Sequence, residues 1–284
     1  MDIRPSGTTP ELLRHYQSIF AKCFPQATHL DVNYLEWLYA RNPAGPVIGL
    51  DAWDGERLAA HYACIPAAAI VGGVACKVML SLNTATDPDY QGRGLFTKLA
   101  DGTYAAGAAQ GMAGIYGVAN ANSTPGFVRK LGFTLLRPLD AKIGVGELLP
   151  EADAATLSEV QFRRDWDRQS LEWRCANPQR RYRVARSGNG RTIALAPTGK
   201  PLLSAFGALP TMIEGAEYGP AGFGMRLHLG LVPPALGPLK GTWFELPARL
   251  RSSPLNLIYR ALDERITAPS PDAVLFSVLD FDAF

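Results

Sequence analysis

Between residues 78 and 110 the sequence changes its periodicity abruptly, and no other feature narrows the choice of fold as far. Val78 to Thr86 is a run of apolar and β-branched residues that reads as a buried strand. Asp87-Pro88-Asp89-Tyr90 breaks it, and Gln91-Gly92-Arg93-Gly94 follows as a loop. Leu95 to Gln110 then carries apolar residues at helical spacing, with Leu95, Leu99 and Tyr104 facing inward. A strand that passes through Gly-x-Gly into a helix is a device for holding phosphate. The glycines let the backbone turn tightly. The first N–H groups of the helix have no partner within it, and the positive end of the helix dipole lies behind them. A pyrophosphate answers both needs. Arg93 adds charge at the same place.

The surroundings separate this turn from two commoner phosphate loops. A dinucleotide fold places Gly-x-Gly-x-x-Gly after the first strand of a βαβ unit. Here Thr97 stands at the third glycine position, and several antiparallel strands come first. A Walker loop needs Gly-Lys-Ser/Thr, which the sequence lacks.

The preceding residues read as two helices and four strands. Pro10 to Cys23 is helical, with Leu12, Leu13, Tyr16, Ile19 and Phe20 on one face. A second helix starts at Asp31, its N-cap, and ends before Asn42-Pro43. Strands follow at Val47 to Trp53, Arg57 to Ile65, Ala67 to Val71 and Val78 to Thr86, with turns at Asp54-Gly55 and Gly72-Gly73. After the glycine turn and its helix come a strand at Ile115 to Ala119 and a helix at Pro125 to Lys130, closed by Gly132. The order predicts an α/β fold: a mixed, mostly antiparallel central sheet flanked by helices.

The second half starts after a small, polar stretch at Pro150 to Thr156 that reads as a linker. Leu157 to Arg174 has a helical pattern. Short strands are expected at Arg181 to Arg186, Thr192 to Ala196, Met225 to Val232 and Ala273 to Leu279, with a hairpin turn at Ser187 to Gly190. A weak repeat joins the halves. Leu35-Glu36-Trp37 leads to Asn42-Pro43 and a strand pair; Leu171-Glu172-Trp173 leads to Asn177-Pro178 and another. The glycine turn has no second copy. These signs predict a duplicated fold, with residues 1–148 carrying the ligand site and residues 149–284 forming a degenerate second module.

Composition excludes several functions. The 284 residues carry a formal net charge of +2 with no basic run, which argues against a nucleic-acid footprint. Cys23, Cys64, Cys76 and Cys175 show no Cys-x-x-Cys spacing, so no metal site is expected. The uncharged stretch from Ala63 to Cys76 is too short to span a membrane. Met1 to Pro5 has no apolar leader, so the cytoplasm is the expected compartment. A homodimer is compatible with all of this.

The wider pattern resembles the GCN5-related N-acetyltransferases. It comprises Thr86-Asp87-Pro88, then Gln91 to Phe96, a helix, a strand, Asn120 to Thr124, and Lys130-Leu131-Gly132-Phe133. The likeness covers roughly residues 1 to 145, and the whole chain is similar to the larger two-module bacterial members. It implies that acetyl-CoA is the donor and a small-molecule amine the acceptor. It also implies that the backbone of Gln91, Gly92, Arg93, Gly94, Leu95 and Phe96 holds the CoA pyrophosphate. Ala85 and Thr86 would pair with the pantetheine arm, and Asn120 and Asn122 would border a slot for the thioester. Phe96 stands where the family turn has a small residue. Val128 stands where many members have a tyrosine that protonates the leaving thiolate.

Attack of an amine on a thioester needs a base for the amine and a donor for the carbonyl oxygen, most simply a strand amide near Ala85. The candidate bases are Glu36, His61 and Asp87. Each has an ordinary alternative: a solvated helix face for Glu36, a satisfied core or surface histidine for His61, a turn cap for Asp87. Asn122 is the remaining catalytic candidate. His228 is a distant one, and Trp243, Phe244 and Tyr259 are either acceptor-pocket walls or core. Two further readings remain open: a silent acyl-CoA-binding or scaffold protein, and an aminoacyl transferase of cell-envelope synthesis.

Overall fold

The computed structural model describes residues 1–147, 153–188, 190–237, 240–247 and 254–281. The boundary expected at residue 148, the first three residues of the linker and Asn189 of the expected hairpin turn lie outside them.

Two helices near the start of the chain cover one face of the first sheet. In α1 (Pro10–Cys23) Thr9 caps the start by accepting from the Leu12 amide, and Leu13, Tyr16, Ile19 and Phe20 are buried. In α2 (Val32–Tyr39) Asp31 accepts from the Tyr34 amide. The strands beneath are β1 (Asp2–Pro5), β2 (Ile48–Asp54), β3 (Arg57–Val71), β4 (Val74–Thr86), β5 (Gly114–Ala119) and β6 (Thr134–Pro138). The other face is covered by α3 (Leu95–Ala109) and α4 (Thr124–Lys130). The mixed, mostly antiparallel sheet with flanking helices is the architecture read from the sequence.

Several elements differ from expectation. β1 is an edge strand on β2 whose largely exposed residues give no period-2 signal. The two strands expected around Pro66 are one. β2 pairs with β3 as far as Cys64, and β8 (Phe162–Arg164) pairs with it from Ala69. Pro66 falls in the gap between those partners, where a missing N–H breaks no ladder. The single helix expected over residues 157–174 is α5 (Ala154–Ser158), then β8, then α6 (Arg168–Cys175). Asp167 and Ser170 form a capping box that restarts the helix, and Phe162 turns inward beside Tyr116 and Phe276. Residues 273–279 contribute only single bridges and short 3₁₀ turns to the core.

The remaining strands are β7 (Asp140–Glu147), β9 (Arg183–Arg186), β10 (Thr192–Pro197), β11 (Leu203–Ala208), β12 (Met225–Gly230), β13 (Lys240–Glu245) and β14 (Asn256–Ala261). They reveal how the halves are joined. The first sheet runs β1-β2-β3-β4-β5-β14-β6, and the second runs β9-β10-β11-β12-β7-β13. From β2 and from β9 the directions match strand for strand: antiparallel, antiparallel, parallel, antiparallel, antiparallel. The two sheets are therefore duplicates in topology, yet they exchange a strand. β14, from the end of the chain, lies between β5 and β6. β7, from the first half, lies between β12 and β13. The sheets do not map onto residues 1–148 and 149–284.

The repeated motif makes the contact between the copies. Trp37 and Trp173 stack with centroids 4.9 Å apart. Each indole donates to the other's carbonyl, at 2.9 and 3.0 Å. Asn42 and Asn177 accept from the amides two residues on, at 3.1 and 2.8 Å. The copies differ between their parallel strands. The first sheet has α3 between β4 and β5, whereas residues 209–224, between β11 and β12, contain no helix.

The strand exchange makes a prediction. A chain ending at residue 247 loses β14, both pairing partners of which are in the first sheet, together with buried Phe276, Val278 and Leu279. It is expected to show no cooperative thermal transition by circular dichroism. Wild-type-like melting of that fragment would count against an interlocked core.

Candidate active site

A cavity of about 540 Å³ opens at the start of α3. Ala85, Thr86 and the whole turn from Gln91 to Phe96 line it, together with Lys22, Cys23, Phe24 and Lys130. Gly92 and Gly94 have φ of 74° and 72°, which favours glycine, and a Cβ at either would meet nothing within 4 Å. The glycines therefore serve the turn and leave its outer side open. Gly94 is the N-cap of α3, and among the described residues no side chain caps the first amides of the helix, whose residues Leu95 to Thr97 line the cavity. Lys22, Arg93 and Lys130 set three cations around them. Arg93 is steadied over the Tyr90 ring, at 4.8 Å, and against the Asp89 carbonyl. The phenol of Tyr90 is anchored on Asp54 at 2.8 Å. This set is suited to a diphosphate.

Next to that turn the sheet divides. β4 and β5 pair from Val78–Gly114 to Ser81–Gly117 and no further. Leu82 to Thr86 therefore has no partner on the β5 side, and its amides there face a slot. The register of β4 on β3 also shifts between His61 and Ala63, leaving Asn83 and Thr84 opposite Tyr62 alone. Asn83 has φ of 48°, so β4 bulges where it leaves β5. Phe96 turns its ring toward Tyr62 and Phe127, with centroids 5.9 and 5.5 Å away, and walls the slot from the α3 side. Under it Tyr62, Ser81 and Tyr104 form a buried hydroxyl cluster, at 2.7 and 2.5 Å from the Tyr62 oxygen.

The other expected residues have different positions. Asn120 does not line the cavity. Its side chain accepts from the Asn122 and Ser123 amides and its carbonyl from the Thr124 amide, so it holds the turn that leads into α4. Asn122 is exposed beside it. Glu36 pairs with Arg41 at 2.7 Å on the solvent side of α2. Asp87 is buried and accepts from Arg57, Lys22 and the Asp89 amide. Burial alone would push its carboxyl up; Arg57, the Asp89 amide and Lys22 outweigh that and hold it below the usual carboxylate range. It fastens the end of β4, the capping role. Val128 is exposed on α4.

His61 is fully buried, with Nδ1 2.6 Å from Asp51 and Nε2 3.0 Å from the Tyr39 hydroxyl. Tyr259 belongs to the core of the first sheet. Trp243 and Phe244 lie on β13 of the second sheet, where Phe244 is exposed. His228 lines a separate cavity there with Asp140, Lys142 and Glu245, and burial followed by Lys142 pushes its pKa down to about 4. The walls contributed by Lys22, Cys23, Phe24 and Lys130 had no local signal, since α1 and α4 reach the turn only in the folded chain.

Residues 4–136 match the family described as "Acetyltransferase (GNAT) domain". No curated protein matches the sequence. Three solved structures share the fold. One is a protein of Enterococcus faecalis described as a probable N-acyltransferase, with 13% identity over 92% of this chain and 73% of that one, at a TM-score of 0.57. Another is Eis1 of Mycobacterium abscessus, with 10% identity over 93% and 74%, also at 0.57. A third is a GCN5-related N-acetyltransferase of Anabaena variabilis, with 11% identity over 92% and 73%, again at 0.57. Among the described residues no helix is long and apolar enough to cross a membrane. The glycine turn and the divided sheet both lie within residues 4–136, the span that matches the GNAT acetyltransferase domain.

Proposed function

We propose that the protein moves an acetyl or other short acyl group from CoA to a primary amine of a small molecule, by direct attack in a ternary complex. One conjunction carries this reading: the uncapped start of α3, three cations and the slot between β4 and β5 all border one cavity. The amides from Gln91 to Phe96 hold the pyrophosphate. Ala85 and Thr86 extend the sheet onto the pantetheine arm. An amide of the β4 bulge polarises the acyl carbonyl. The amine attacks the carbonyl carbon, the C–S bond breaks, and CoA leaves as thiol after the amine's proton is lost. Four free cysteines suit a reducing compartment such as the cytoplasm.

A second reading is an acyl-CoA-binding protein without turnover. Exposed Val128, with no hydroxyl on α4 at that point, favours it. Calorimetric titration with acetyl-CoA and thiol release over a panel of amino sugars, amino acids and polyamines separate the two. Saturable binding with amine-dependent thiol release is expected. Binding without release supports the silent form, and no binding at millimolar acetyl-CoA defeats both.

A further inference from the structure

Asp51, His61 and Tyr39 are each fully buried between the first sheet and α1 and α2. A buried carboxylate persists only when it is paired and hydrogen-bonded. Asp51 accepts from Ser6 Oγ at 2.7 Å, from the Tyr16 hydroxyl at 2.7 Å and from His61 Nδ1 at 2.6 Å. On the other side of the ring, His61 Nε2 lies 3.0 Å from the Tyr39 hydroxyl. Burial raises the Tyr39 pKa well above its ordinary value, so the phenol keeps its proton. Its oxygen keeps a lone pair that can accept a further bond. The atom in place is Nδ2 of Asn83, at 3.3 Å. The connection from Asp51 through His61 and Tyr39 thus ends on the bulge residue of β4.

Asn83 is one of two described non-glycine residues with positive φ. Asparagine tolerates that conformation but does not enforce it. We propose that Asp51, His61 and Tyr39 are positioning residues: through Asn83 they hold the β4 bulge in the conformation that turns its free amides into the slot. The proposal rests on the acyl-transfer reading and gives the buried histidine a role without contact with either substrate. A network that merely fastens β1, β2 and β3 together would have no need of Asn83.

Tyr39→Phe removes one hydroxyl and keeps the ring in the core. Asn83→Gly removes the side-chain anchor while leaving the left-handed backbone unstrained. Both are tested by steady-state kinetics with an amine the wild type uses, and by hydrogen exchange of the Thr84 and Ala85 amides without ligand. Each variant is expected to lower kcat about tenfold, from a small misplacement of the donor amide. The KM for acetyl-CoA is expected to stay within about twofold, and exchange to quicken at Thr84 and Ala85 but not along β2. Wild-type kcat and exchange in Tyr39→Phe overturn the proposal. So does exchange that quickens equally across β2, β3 and β4, which marks a purely structural network. A wild type without turnover on any amine defeats the acyl-transfer reading instead, and the exchange data then decide by themselves whether Tyr39 holds the bulge.

Discussion

Replacing Gly94 with aspartate is expected to weaken acetyl-CoA binding roughly 100-fold or more and to leave the fold intact. Gly94 sits at φ of 72° with nothing within 4 Å of an added Cβ, so the larger side chain meets only the open cavity. The left-handed conformation costs an aspartate about 1–2 kcal/mol. An acid at the start of a helix returns part of that by accepting from its free amides. The same carboxylate occupies the donors that a diphosphate needs and repels it. Losing two charge-assisted hydrogen bonds costs about 3 kcal/mol, which is roughly the stated hundredfold. Calorimetric titration beside a thermal melt measures both effects. Gly94→Ala isolates the backbone strain and is expected to bind within about tenfold of wild type, since strain of 1–2 kcal/mol is its main change. Unchanged affinity in Gly94→Asp would show that the donor is held elsewhere.

The second large effect is on stability. Trp173→Ala is expected to destabilise the protein by about 3–5 kcal/mol, the usual cost of emptying a buried aromatic site. For a chain of this size that corresponds to a fall in Tm of about 5–8 °C. The indole stacks on Trp37 and donates to its carbonyl, and the buried guanidinium of Arg174 lies over both rings, 5.2 and 5.7 Å from their centres. Truncation opens a void and removes one face of the Arg174 enclosure. The contact joins the two repeated motifs, so the loss is expected to spread to the coupling between sheets and to broaden the calorimetric transition. A fall in Tm below about 2 °C, roughly 1 kcal/mol for this length, would mean that the seam contributes little.

Local chemistry and long-range pairing divide what was readable. The glycine turn, the Asp31 cap, the helix after Gly94 and the Gly132 stop were legible because each depends on neighbours in sequence. The repeat of Leu-Glu-Trp and Asn-Pro was legible too, and it marks matched sheets joined through their tryptophans. The helix expected over residues 157–174 failed because the pairing of Phe162 to Arg164 with β3 overrides a helical pattern. β14 could not be assigned to the first sheet from its own residues, since nothing in Asn256 to Ala261 names β5 and β6 as partners.

The candidate site divides in the same way. Ala85, Thr86 and the turn from Gln91 to Phe96 line one cavity, and all of them lie within twelve residues of sequence. Glu36, Asn120 and Asn122 lie outside its walls, engaged with Arg41, with the start of α4 and with the Asn120 side chain respectively. His61 was singled out as a titratable residue in a strand. That it is bonded to Asp51 and Tyr39, and through Tyr39 to Asn83, depends on where α2 crosses the sheet.

The sequence by itself determined the glycine turn, the class of fold and the duplication, because a turn, a cap and a periodicity are written in adjacent residues. Only the tertiary structure decided which strands complete which sheet, which cations from α1 and α4 border the turn, and how a buried carboxylate is connected to the bulge in β4. Those features depend on contacts between residues far apart in the chain, as in the pairing of Ala261 with Gly114 across 147 positions, and no local pattern of side chains encodes such a pairing.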